Sequence, residues 1–111
     1  MTNSTISFDE FQKLDVRIGT IVSAERLTGS DKLLKLGVNV GEQTPRQIIA
    51  GIAKYVAPEA LLGAQCPFVI NLEPRTIRDL ESQGMLLAID AGDGFALLHP
   101  SRAVAAGSRV R

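Results

Sequence analysis

Between Val16 and Val40 the chain twice alternates apolar and polar residues with a period of two. Val16, Ile18, Thr20, Val22 and Ala24 stand against Arg17, Gly19, Ser23 and Glu25, with Ile21 out of step. A Thr28-Gly-Ser-Asp31 turn follows, and Leu34, Leu36, Val38 and Val40 then alternate with Lys35, Gly37 and Asn39. A period of two belongs to strands whose two faces meet different surroundings. The chain must therefore build a sheet with one dry face. Gly19, inside the long first strand, predicts a bulge or a sharp bend at that point.

The remaining elements are short. Gly41 to Pro45 turns the chain, and Arg46 to Gly51 gives a third strand. Pro58-Glu-Ala-Leu-Leu62 followed by Gly63 has proline early and glycine just past the end, the asymmetry of a short helix. Phe68, Ile70 and Leu72 resume the strand period. The apolar run from Gly84 to Ile89 reads as a strand buried on both sides. Ala91-Gly-Asp-Gly94 is a turn, and Phe95 to Leu98 is a last strand candidate. Ahead of all these, Ser7 and Glu10 have capping-box spacing, with Phe8, Phe11 and Leu14 on one face of the helix they begin. So short a helix is marginal alone and must dock, either on its own chain or on a second subunit. Three strands, a short helix and two more strands suit an all-β OB-fold, a five-stranded barrel with its helix between strands 3 and 4.

A length of 111 residues fits one domain spanning 1–111. The barrel core would cover about 15–90, flanked by 6–14 and 91–111. The lone Cys66 rules out an internal disulfide and a cysteine zinc cluster, and the lone His99 rules out a His/His metal site within one chain. There is no nucleophile–base pair, supported carboxylate pair, phosphate-cradling loop or metal spacing. The expectation is a chain with no catalytic residues, no metal and no cofactor. No apolar stretch has membrane-spanning length, and Met1 to Ser7 lacks the basic flank and apolar run of a secretory leader. No membrane partner and a cytoplasmic location are expected. Net charge is zero, but residues 12–56 hold seven Lys/Arg against four Asp/Glu, 57–100 hold two against six, and 101–111 hold three Arg and no acid.

Phe8-Asp-Glu-Phe11 and Leu14-Asp-Val-Arg-Ile-Gly-Thr-Ile21 resemble the opening of the tRNA-binding domain found at the C-terminus of bacterial methionyl-tRNA synthetases. The same domain occurs as a separate beta subunit, as a free-standing protein and in endothelial-monocyte-activating polypeptide. Ser30-Asp-Lys-Leu-Leu-Lys-Leu36, Gly51-Ile-Ala-Lys-Tyr55, Pro58-Glu-Ala-Leu-Leu-Gly63, Asn71-Leu-Glu-Pro-Arg75 and Ser82-Gln-Gly-Met-Leu-Leu87 continue the likeness in order. The resemblance implies an OB-fold that recognises tRNA by shape and phosphate backbone, alone or as an accessory subunit of a methionyl-tRNA synthetase. It also implies a homodimer, with the N-terminal helix and the C-terminal extension as its elements and Phe8, Phe11, Leu14 and Val104 at the interface. The plainer reading of the extension is a tail that closes its own barrel.

The RNA-contacting candidates are Lys32 in the turn after the first strand, Lys35 on the second strand, and Arg75 and Arg78 in the loop between strands 4 and 5. Turns and loops at a barrel's rim are where OB-folds hold oligonucleotides, and guanidinium groups suit bidentate phosphate contacts. Asn71, Ser82 and Met85 complete the set, as a donor and acceptor, a hydroxyl and an adaptable apolar contact. Their plainer readings are solvated cations, a turn-capping amide and a core methionine. The family's loop commonly reads Pro-Arg-Lys-Met-Arg-Gly, whereas here it is Pro74-Arg-Thr-Ile-Arg-Asp79. Thr76 removes a cation and Asp79 adds an anion beside Arg78, so weakened tRNA binding is expected. Aromatic residues are few, and Tyr55 is the one obvious exposed candidate for base stacking. The competing reading is a CsaA-like chaperone that binds unfolded or exported polypeptides through apolar grooves at a dimer seam.

Overall fold

The computed structural model describes residues 4–111, so Met1 to Asn3 of the segment read for a leader lie outside the described residues. In chain order the elements are α1 (Phe8–Gln12), β1 (Val16–Arg26), β2 (Leu34–Asn39), β3 (Arg46–Ala50), α2 (Pro58–Leu61), β4 (Gln65–Val69), β5 (Arg75–Ile77), β6 (Leu80–Ser82), β7 (Met85–Leu86), β8 (Ala88–Asp90), β9 (Phe95–Leu97) and β10 (Arg109–Val110). Strands run in the order β3-β2-β1-β4-β7, all antiparallel, with β10 added beside the start of β1. The pairs β5–β6 and β8–β9 are separate hairpins. The result is a nearly closed five-stranded OB-like barrel, with α2 between its third and fourth strands as expected.

Burial explains the closure. Ile21, Leu34, Leu36, Val38, Ile48, Leu61, Cys66 and Phe68 are fully buried in one core. Leu61 ties α2 to the barrel, and Gly63 ends the helix at φ +82°, a conformation glycine adopts without the cost a side chain brings. The gap between β3 and the last barrel strand is bridged largely by side chains. Gln83 donates its backbone N–H to the Gln47 carbonyl (2.8 Å), and its amide oxygen accepts from Gln47 N–H (2.9 Å). The Ser82 hydroxyl accepts from Ile49 N–H (3.0 Å).

The first strand differs from its expected phase. Register shifts between Ile21 and Ser23, so the bulge lies around Val22 and not at Gly19. An extra residue reverses which face each neighbour takes. Ile21, the exception to the alternation, is the fully buried residue, and Val22 is turned toward solvent. Gly19 is needed for space: a Cβ there would lie 2.4 Å from Val38 Cγ1 and 2.9 Å from Phe68 Cδ1. Ile18, on the alternate face, is buried outside the main core, where its N–H donates to Ser108 and its carbonyl accepts from Gly107 N–H.

The run from Gly84 to Ile89 is not one strand buried on both sides. Its first part is β7, paired to β4. The chain then leaves the barrel, and Ala88, Ile89 and Asp90 form the exposed β8 of a hairpin with β9. Apolar continuity concealed two short strands with different partners. No helix among the described residues is long and apolar enough to cross a membrane.

Candidate nucleic-acid interface

The segment expected as a loop between strands 4 and 5 is a β-hairpin. Ile77 pairs with Leu80 across a two-residue turn, and both turn residues have positive φ, 53° at Arg78 and 65° at Asp79. Positive φ at both positions is the requirement of a type I′ turn, whose twist matches that of the strands it joins. Aspartate tolerates this conformation better than arginine. From the turn, Arg78 Nη1 donates to the Gly29 carbonyl at 3.3 Å. That contact brings the hairpin tip against the β1–β2 turn that carries Lys32.

Arg75 lies at the other end of β5. With Met85 and the buried Ser82 it lines a small cavity of about 50 Å3 over Ile49 and Ile77. The structure thus gathers Lys32 and Arg78 at one end of the hairpin and Arg75, Ser82 and Met85 at the other. Among the described residues, no carboxylate lies within ion-pairing distance of Lys32, Arg75 or Arg78, and no ion pair joins Arg78 to Asp79.

The other candidates have internal partners. Lys35 Nζ is 2.7 Å from Glu25 Oε1, its cross-strand neighbour, so its charge is already met. Asn71 Oδ1 accepts from Asp15 N–H at 2.8 Å, and its Nδ2 donates to the Lys13 carbonyl. These bonds fasten the exit of α1 to the end of β4. Ser82 is 5% exposed, and its hydroxyl donates to the Gly84 carbonyl (3.2 Å) while accepting from Ile49. A hydroxyl so enclosed shapes the rim but offers little to a phosphate. Met85, 42% exposed, stays accessible beside Arg75.

Two arginines outside the set of RNA-contacting candidates hold the frame of this site. Arg46 donates to the carbonyls of Ile70 (2.6 Å) and Gln83 (3.0 Å) and pairs with Glu42 through Nε and Nη2. Arg17 pairs with Asp15 and donates to the Gly107 carbonyl. Hydrogen bonds from Arg17 and Arg46 hold the Asp15 and Glu42 carboxyls below their ordinary range. Cys66 and His99 are nevertheless neighbours, Sγ to Nδ1 3.8 Å. But Nδ1 donates to the Gln65 carbonyl at 2.8 Å, and burial pushes the Cys66 thiol up to about 11, which keeps it protonated near neutrality.

The expected flanking elements form one groove. The Ser7–Glu10 capping box is present, with the Ser7 hydroxyl accepting from Glu10 N–H at 3.1 Å, yet no residue of α1 is buried. Phe8, Phe11 and Leu14 face Val16 and Val110 across a groove of about 720 Å3. Val104 lies elsewhere, where the Gln65 side chain accepts from its N–H (3.0 Å) and donates to its carbonyl (2.7 Å). That part of the tail is fastened to its own barrel.

Residues 16–109 match the family described as "Putative tRNA binding domain". The methionine-tRNA ligase of Methanothrix thermoacetophila is 53% identical over 106 residues, 96% of this chain and 16% of that protein. The enzyme of the same name from Chlorobium chlorochromatii is 54% identical over 97 residues, 86% of this chain and 14% of that protein. The chain therefore spans about a sixth or less of these curated relatives. Among solved structures, the MetRS-related protein of Pyrococcus horikoshii superposes with a TM-score of 0.91 at 36% identity, covering 98% of this chain and all of that one. The chaperone CsaA of Bacillus anthracis superposes at 0.85 with 30% identity, covering 97% of this chain and all of that one. With a match along most of its length and a barrel of the same shape as these relatives, the chain belongs to the tRNA binding domain family.

Proposed function

We propose that this chain binds tRNA without catalysing a reaction, gripping the phosphate backbone through a rim made of the β5–β6 hairpin along its length and the β1–β2 turn that its tip meets. The observation that carries the reading is the Arg78 contact to Gly29, which joins two rim segments whose cations, Lys32, Arg75 and Arg78, have no carboxylate partner among the described residues. Cations left open to solvent on a rim can exchange water and counterions for phosphate oxygens. Asn71 and Ser82 support this rim through backbone hydrogen bonds, Met85 supplies an apolar contact beside Arg75, and Lys35 contributes once it leaves Glu25. The chain works as one domain over 1–111, in the cytoplasm, alone or with a methionyl-tRNA synthetase.

The groove lined by Phe8, Phe11 and Leu14 is the seam of a homodimer, because a short helix without buried residues needs an external surface to cover its aromatic face. Val104 supports the seam through the tail's attachment to the barrel. A Phe8→Ser/Phe11→Ser variant should sediment as a monomer. The second reading, a CsaA-like grip on unfolded polypeptide, is favoured by that same groove.

Titration with folded tRNA and with an unstructured RNA of equal length, at two salt concentrations, tests the main reading. Tighter binding of folded tRNA supports shape recognition. Equal affinity removes it, and preference for an unfolded polypeptide over both RNAs favours the chaperone.

A further inference from the structure

Tyr55 lies in the loop between β3 and α2, and that loop is stitched to the proposed rim: Ala53 N–H donates to the Lys32 carbonyl at 3.0 Å. The Tyr55 ring stands 5.2 Å from the Phe95 ring at an angle of 49°, braced from the β8–β9 hairpin, yet the residue is 58% exposed. With Phe95, Ala88, Ile89 and Asp90 it lines an open depression of about 360 Å3. Lys54, the preceding residue, lies 4.0 Å from Asp31, both exposed, at the outer limit of an ion pair.

We infer that this depression receives an unpaired nucleobase of the bound RNA, stacked on Tyr55, while Lys32 and Lys54 meet its flanking phosphates. The inference rests on the RNA-binding reading above and adds a base-contacting site to a surface that otherwise reads only backbone. The chemistry divides the ligand in the same way as the residues. An aromatic face attracts any base. Asp90 within the depression repels phosphate but accepts a hydrogen bond from an exocyclic amino group, as carboxylates do from cytosine. One of its oxygens accepts from Gly92 N–H at 3.0 Å, which holds the carboxylate in place. Adenine, cytosine and guanine carry such amino groups, whereas uracil offers only its ring N3–H, so the site favours the first three.

The chain has one tyrosine and no tryptophan, so its tyrosine fluorescence reports on this site alone. The test compares an RNA hairpin ending in a short single-stranded adenosine overhang with the same hairpin made blunt. The overhang should quench Tyr55 fluorescence and tighten binding by at least about fivefold, the low end of what one stacked base supplies. Tyr55→Leu should abolish that advantage, whereas Tyr55→Phe should keep it. A uridine overhang should gain less. Blunt and overhanging hairpins that bind equally, or an advantage that survives Tyr55→Leu, overturn the inference while the backbone reading stands. Failure of both hairpins and of folded tRNA to bind overturns the two together.

Discussion

Arg17 and Arg46 at the base of the barrel and Arg75 and Arg78 on its rim are the same side chain put to opposite uses. At the base, each guanidinium has a carboxylate and at least one backbone carbonyl. On the rim, the Arg78 guanidinium has one carbonyl at 3.3 Å and the Arg75 guanidinium has no hydrogen-bond partner among the described residues. The base uses its charge to hold segments distant in sequence, while the rim cations have no carboxylate partner among the described residues. A net charge of zero therefore says little about binding. What matters is where the carboxylates lie.

The largest expected effect comes from breaking the base. Arg46→Ala removes hydrogen bonds to two carbonyls and to Glu42, and charge-assisted bonds of this kind contribute roughly 1.5–3 kcal/mol. Denaturant unfolding should show a loss of about 2–4 kcal/mol, since partial resolvation offsets some of the deficit. Among the molecules still folded, the salt dependence of tRNA binding should be unchanged. Breaking the rim should do the reverse. Arg75→Ala and Arg78→Ala should each move stability by no more than about 0.5 kcal/mol, yet each should lower the log–log salt slope by roughly 0.7–0.9.

A smaller effect sharpens the contrast within the rim. Asp79→Gly removes an anion beside Arg78 and relieves a side chain held at φ 65°. Gel shifts should show tRNA affinity rising a fewfold, about 1 kcal/mol or less for an exposed charge. No gain would mean that Asp79 does not weaken the rim. The smallest effect concerns acid. Asp15 and Glu42 titrate below their ordinary values because of Arg17 and Arg46. Their contribution is complete above the unfolded carboxylate range and is lost as pH falls through the lowered folded values. Thermal melts should thus show extra destabilisation below about pH 4, and Arg17→Met should reduce the part due to Asp15.

The sequence made the barrel legible because local signals agreed with the tertiary structure. The alternation in β2, the Pro58 and Gly63 punctuation of α2 and the Ser7–Glu10 cap each resolve into the expected element. The phase of β1 was hidden because both faces of its first half are covered, so Ile18 and Ile21 look equally like core residues. The β5–β6 hairpin escaped because its turn carries Arg78-Asp79 in place of the usual Asn-Gly or Asp-Gly. At the site, residue type located the cations but not their partners. Glu25 is ten residues from Lys35, and only strand register sets them side by side. Ser82 and Asn71 were legible as polar residues near the rim, but their bonds to Ile49, Asp15 and Lys13 depend on long-range closure. Arg46 had no signal beyond Glu42 four residues earlier, on a segment too irregular to read as a helix pair.

The most direct test is the salt dependence of tRNA affinity for the Lys32→Ala/Arg75→Ala/Arg78→Ala variant beside the parent chain. Three open cations predict a slope shallower by about two to three, with denaturant stability nearly the same. An unchanged slope in a folded variant would contradict the account, because the phosphates would then be held somewhere other than the rim.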